Sequence, residues 1–143
     1  MKQHITPAQL AQLTPEQREK LREWWVPQPG DMFPCEDGTC IFPITRVEKL
    51  QEGYMCYFVR KPERNEFTAV EFSFGSRCGV LPLLSIGQCI ELLTSKTVNS
   101  VINIESNWYD HPEPLQWYVD VSGWDGQRPE LIDALFAAVK AVL

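Results

Sequence analysis

The sequence predicts an α+β fold in a single domain spanning residues 1–143, with a largely antiparallel sheet, N-terminal helices, one middle helix and a C-terminal amphipathic helix. Three observations carry this expectation. Helix-start signatures stand in tandem at the N-terminus and recur once after residue 84. The β-branched and aromatic segments between them come in pairs joined by short polar stretches, too short for the crossovers of a doubly wound parallel sheet. The closing residues carry one apolar stripe at three- and four-residue spacing.

The N-terminal helical segment, 1–26, opens with Thr6-Pro7-Ala8-Gln9 and repeats the pattern as Thr14-Pro15-Glu16-Gln17. In each, Thr stands at the N-cap, Pro at the first helical position and Gln two residues further on. The hydroxyl accepts from the Gln amide while the Gln side chain reaches back. The first helix is expected over 7–13 and the second over 15–25. The charges of the second form a solvated face, and Pro27-Gln28-Pro29-Gly30 stops it. Residues 32–35 and 40–44 flank Glu36-Asp37-Gly38-Thr39, and Asp-Gly is a strong hairpin signal. With a two-residue turn, Cys35 faces Cys40 with Cα atoms about 4.5 Å apart, at the short end of disulfide geometry. Pro34 then falls opposite Ile41 at a hydrogen-bonded position, where its missing N–H is expected to end the ladder or force a bulge. A second hairpin is expected from 54–60 and 67–74. Ser85-Ile86-Gly87-Gln88 is a third capping box, opening a helix to about residue 94. A weaker strand follows over 97–105. In 117–122, Trp117, Val119 and Val121 alternate with Tyr118, Asp120 and Ser122, the pattern of a half-buried strand. Pro129 heads the last helix, whose stripe runs through Leu131, Ile132, Leu135, Phe136, Val139, Val142 and Leu143.

Composition narrows the functional classes. The 143 residues are 44% hydrophobic, enough for a core, and five Trp, seven Phe and four Tyr exclude a solvated coil. No apolar run approaches the roughly 20 residues of a membrane-spanning helix, and the opening residues lack the apolar stretch of an export signal. A cytoplasmic location with reduced thiols is therefore expected for the five cysteines. The net charge of −6 disfavours sequence-independent nucleic-acid binding. From Ile104 onward, seven acidic residues stand against Arg128 and Lys140, so a partner of this segment is expected to present a basic surface.

The stretch from Thr14-Pro15-Glu16-Gln17 to Trp24-Trp25-Val26-Pro27, the segment Leu81-Pro82-Leu83-Leu84-Ser85-Ile86-Gly87-Gln88, and the closing Glu130 to Lys140 together resemble small proteins encoded in phages and prophages of Gram-positive bacteria. The resemblance touches about half the chain. It implies an accessory protein expressed in a bacterial host and carries over no chemistry.

Four groupings of side chains could carry function. Cys35, Cys40, Cys56 and Cys78 are the soft ligands a structural zinc would use, although zinc ribbons space their pairs as Cys-x2-Cys. The alternative is that Cys56 on its strand and Cys89 on its helix are buried as small hydrophobes. Cys78, beside Arg77 and Gly79, is the best nucleophile candidate, and His111 is its candidate base. His4 sits near an N-terminus expected to be mobile. Carboxylates gather as Asp120 with Asp125 and Asp110 with Glu113, a pattern suited to sugar chemistry or Mg²⁺ but also to turns. The tract from Trp108 to Trp124 interleaves large aromatics with fixed charge, as interface anchors do. Its candidate partner-binding residues are Trp108, Tyr109, Asp110, Glu113, Trp124 and Asp125. No Gly-rich phosphate loop is present and no cofactor is implied. The expected function is protein binding without catalysis, by a phage or prophage accessory protein. A host-directed inhibitor or anti-defence protein is one specific form. A small thiol- or metal-dependent enzyme or a structural zinc protein is the alternative.

Overall fold

The fold was read from a computed structural model, which describes residues 2–34, 41–51, 53–61, 66–72, 81–97, 101–106, 116–121 and 123–143. It is α+β. Four helices, α1 (Pro7–Leu10), α2 (Pro15–Trp24), α3 (Ile86–Lys96) and α4 (Leu131–Val142), accompany eight strands among the described residues. These are β1 (Met32–Pro34), β2 (Ile41–Pro43), β3 (Arg46–Leu50), β4 (Gly53–Lys61), β5 (Glu66–Phe72), β6 (Asn103–Ser106), β7 (Trp117–Val121) and β8 (Trp124–Arg128). Every strand pairing is antiparallel, in the orders β1-β2, β3-β4-β5 and β6-β7-β8. No helix among the described residues is long and apolar enough to cross a membrane. The chain divides into two compact units, Arg18–Leu83 and the pair of segments Met1–Gln17 with Leu84–Leu143.

The Arg18–Leu83 unit is organised by a turn. The Asp31 amide donates to the Gln28 carbonyl at 3.1 Å around Pro29 and Gly30, and Gly30 has φ +97°. Pro at the second position and a left-handed Gly at the third make this a type II turn. The Gly30 amide then donates to the Ile44 carbonyl, and the Ile44 amide to the Asp31 carbonyl, both at 2.8 Å. Two residues thus oppose one, a bulge built on the same Gly. The Asp31 carboxylate accepts from the Trp25 indole at 2.9 Å and the Gln28 amide at 3.0 Å, tying the end of α2 to the start of the hairpin.

This turn sets the phase of β1-β2 and corrects the expectation for it. The register Pro34↔Ile41 is as expected, yet the ladder continues without a shift through Phe33↔Phe42 and Met32↔Pro43. The Ile44–Asp31 bond places the hydrogen-bonded positions at every second pair from there, hence at Phe33–Phe42. Pro34 and Pro43 both fall between them, where the ladder asks for no amide donor. The expected phase was the opposite one; Cys35 and Cys40 themselves lie outside the described residues. Phe33 and Phe42 share a face and meet Phe58 of β4, with ring centroids at 4.8 and 5.0 Å. Trp25, Ile44 and Cys56 complete this buried cluster, with Trp24, Val47 and Tyr54 packed against it. In the β3-β4-β5 sheet, β3 was not expected, because Arg46, Glu48 and Lys49 dominate its sequence. The 54–60 and 67–74 hairpin is present as β4 and β5, with one extra residue in β4 between Val59 and Lys61.

The other unit is built around α4. Leu131, Ile132, Ala134, Leu135, Phe136, Ala138 and Val139 are buried, and α4 packs on β7, β8 and α3. Val119 and Val121 face it and are buried, whereas Tyr118 and Asp120 point away and are exposed. From α3, Cys89, Leu92 and Leu93 supply the matching face. All three capping boxes form: the side-chain oxygens of Gln9, Gln17 and Gln88 each accept from the backbone amide of the capping residue at 2.9–3.0 Å, and their own backbone amides donate to its hydroxyl oxygen at 3.2 Å.

The N-terminal segment is tied down rather than mobile. The Ile5 amide donates to Leu84, the Ile86 amide to Gln3, and His4 bridges Ser85 through the backbone. Ile5, Leu10 and Leu13 are buried. Lys2 and Gln9 reach Asp133 at the start of α4, and the Gln17 amide group donates to the Lys140 carbonyl at its end, at 2.7 Å.

Three element boundaries differ from expectation. The α1 helix stops at Leu10 because Gln12 and Leu13 turn to tighter three-residue bonds, leading into the second box. The α3 helix continues to Lys96, its last turn closed by the Thr97 amide on the Leu93 carbonyl at 3.1 Å, and β6 begins only at Asn103. The strand β8, Trp124–Arg128, was not among the expected elements. Leu135 is fully buried, so Leu135→Ala is expected to cost about 2–5 kcal/mol in equilibrium denaturation; a loss below about half a kcal/mol would mean α4 contributes little to the core.

Candidate functional site

Strand alternation distributes the acidic C-terminal residues. With Val119 and Val121 turned to α4, the opposite face of β6-β7-β8 carries two cross-strand rows. Glu105, Tyr118 and Gln127 stand directly opposite one another in the first, and Asn103, Asp120 and Asp125 in the second. All six residues are exposed, Tyr118 to 42%. Directly opposite residues on neighbouring strands lie about 4.5–5.5 Å apart between Cα atoms, and the two rows are about 7 Å apart along the strand. Three carboxylates thus surround one phenol ring, with no cationic side chain among the six. Asp120 directly opposes Asp125, a like-charge pair that works against the hairpin.

The residues singled out from the sequence distribute unevenly. Asp125 is on this face. Its neighbour Trp124 is on the other, half-buried, with its indole lying over Gly126: a Cβ built at Gly126 would fall 2.5 Å from Cζ2 of that ring. A larger residue at Gly126 would have to displace that ring. Trp108, Tyr109, Asp110, Glu113 and His111 lie outside the described residues, as do Cys35, Cys40 and Cys78. Trp117 is half-buried on the face toward α4. Glu105, Tyr118 and Asp120 were not among the expected partner-binding residues. The period-two pattern of 117–122 marked Tyr118 and Asp120 as outward, but nothing in the sequence paired β6 with β7 and so brought Glu105 beside them.

Cys56 and Cys89 are both fully buried. Burial raises each thiol from its ordinary 9.0 to about 12, and the Asp31 carboxylate adds to the rise at Cys56. The protonated thiol is favoured, so neither is a nucleophile at neutral pH. Among the described residues no group of three His, Cys, Asp or Glu side chains converges as a metal site. A scan against models of protein families and searches of curated proteins and of solved structures return no match to this chain.

The raised thiols have a pH signature. In the unfolded chain they ionise near their ordinary value; in the folded chain they resist to about 12. Their contribution to stability is whole below about pH 9 and is lost as pH climbs from there toward 12. Denaturation midpoints measured from pH 8 to 11 are expected to fall more steeply for the wild type than for Cys56→Ala/Cys89→Ala. Equal slopes would remove the thiols from the account.

Proposed function

We propose that the protein acts by binding a protein partner with a basic surface, through the outer face of the β6-β7-β8 sheet. On this reading it is an accessory protein of a phage or prophage working in the cytoplasm of a bacterial host, where inhibition of a host protein or of host defence is its specific form. The resemblance of the capping-box segments and the closing helix supports the setting. The single observation that carries the binding mode is the outward face itself: six exposed residues, three of them carboxylates and none cationic, around the ring of Tyr118.

The chemistry of such a face is recognition. Each exposed ion pair contributes little, but a concentrated single-sign field accelerates encounter with an opposite one and rejects acidic competitors. A partner cation between Asp120 and Asp125 would also relieve a repulsion that the isolated protein carries.

The test uses Glu105→Gln/Asp120→Asn/Asp125→Asn. Wild-type protein immobilised against host lysate is expected to retain a basic protein that is released as salt rises, and the triple variant to lose it without any loss of thermal stability. Retention of the same protein by both would overturn the reading. Asp125→Asn alone is expected to stabilise the free protein at low salt, by about half a kcal/mol, while weakening the complex; loss of stability would show that Asp125 has a structural partner instead.

A further inference from the structure

The protein contains, on another sheet, a worked example of what a half-buried surface tyrosine beside a carboxylate accepts. On the outer face of β3-β4, Arg46 stands directly opposite Tyr57, with its guanidinium carbon 4.0 Å from the ring centroid. Glu48, two residues along β3, closes the group: it holds the Arg46 guanidinium at 3.2 Å and accepts from the Tyr57 hydroxyl at 2.9 Å. The ring supplies a face for the planar cation, and the carboxylate fixes its edge. Three side chains of this kind on a pleated surface satisfy one another.

Tyr118 has two of the three components. Its ring is exposed on the central strand, Glu105 is directly opposite, and Asp120 is two residues along on the same face. In the position that Arg46 takes beside Tyr57, directly across from the ring, β6 supplies Glu105 and β8 supplies Gln127. No guanidinium of the described residues stacks on Tyr118. We propose that the partner supplies it: the outer face of β6-β7-β8 docks an arginine side chain over the ring of Tyr118, with Glu105 and Asp120 taking its N–H groups. This rests on the reading of that face as the binding surface and narrows it from basic partners in general to arginine-bearing ones. A lysine ammonium satisfies the carboxylates but has no planar face to lay on the ring. The spacing of Tyr118 and Asp120 along β7, about 7 Å, is also the spacing of alternate side chains in an extended segment. A second arginine two residues away therefore falls at the Asp120–Asp125 pair.

Two probes test it: a short peptide with two arginines separated by one glycine, and the same peptide with lysines. Each is titrated into isotopically labelled protein at low salt, and shifts of the β6, β7 and β8 amides are followed. The arginine peptide is expected to bind roughly two- to fivefold more tightly, with the largest shifts at Glu105, Tyr118 and Asp120. Tyr118→Leu is expected to abolish the preference while leaving charge-driven binding, and Tyr118→Phe, which keeps the ring, to preserve it. Equal binding of the two peptides at this face, or a preference that survives Tyr118→Leu, overturns the arginine assignment and leaves the acidic-face reading standing. Absence of shifts at the face with either peptide overturns both.

Discussion

Burial of the α4 stripe is the constraint on which the Leu84–Leu143 segment and its N-terminal strap depend. Seven apolar side chains on one helix need an apolar surface, and Val119, Val121, Cys89, Leu92 and Leu93 provide it from β7 and α3. A residue in a strand has only two sides, so fixing Val119 and Val121 inward leaves no freedom for Tyr118 and Asp120. Pairing carries the choice outward to β6 and β8. The acidic face is therefore the necessary reverse of the hydrophobic one, and a one-residue slip of β7 would cost both together.

The Arg18–Leu83 unit solves a different problem, how to build a hairpin from strands that each contain a proline. Its answer lies outside the hairpin. The bulge at Gly30 and Asp31 opposite Ile44 selects the phase in which Pro34 and Pro43 both escape the ladder's demand for donors. Asp31 holds that bulge in place, because its carboxylate is already engaged by the Trp25 indole and the Gln28 amide. One short polar side chain thus couples the end of a helix, a turn and the pairing of two strands, beside the aromatic cluster of Phe33, Phe42 and Phe58.

What was legible in the sequence follows from how local each signal is. The three capping boxes span four residues apiece, and all three form. The α4 stripe and the alternation in β7 are likewise contained within one element. The Asp37-Gly38 signal points to one phase of β1-β2, and the bulge at the far end of the hairpin imposes the other. The charged strand β3 was hidden, since Arg46, Glu48 and Lys49 look like a solvated loop until Tyr57 and Tyr54 stand opposite. Half of the acidic face was hidden for the same reason: Glu105 joins Tyr118 only through strand pairing, which no spacing within one element encodes. Trp124 and Asp125 are adjacent in sequence and on opposite faces of their strand, so a tract defined by composition cannot be a surface.

The N-terminal strap has a consequence for the order in which the molecule is assembled. Residues 18–83 form a contiguous unit whose contacts are all available once that stretch has been made. The strap is different. Lys2 finds the Glu130 carboxylate across 128 positions, and Gln17 finds the Lys140 carbonyl across 123. Closing so long a loop loses chain entropy before any bond repays it. During synthesis, residues 2–17 must therefore wait, with Ile5, Leu10 and Leu13 uncovered, while a complete unit folds between them and their destination. Residues 2–17 are made before the stretch 18–83 and secured after it.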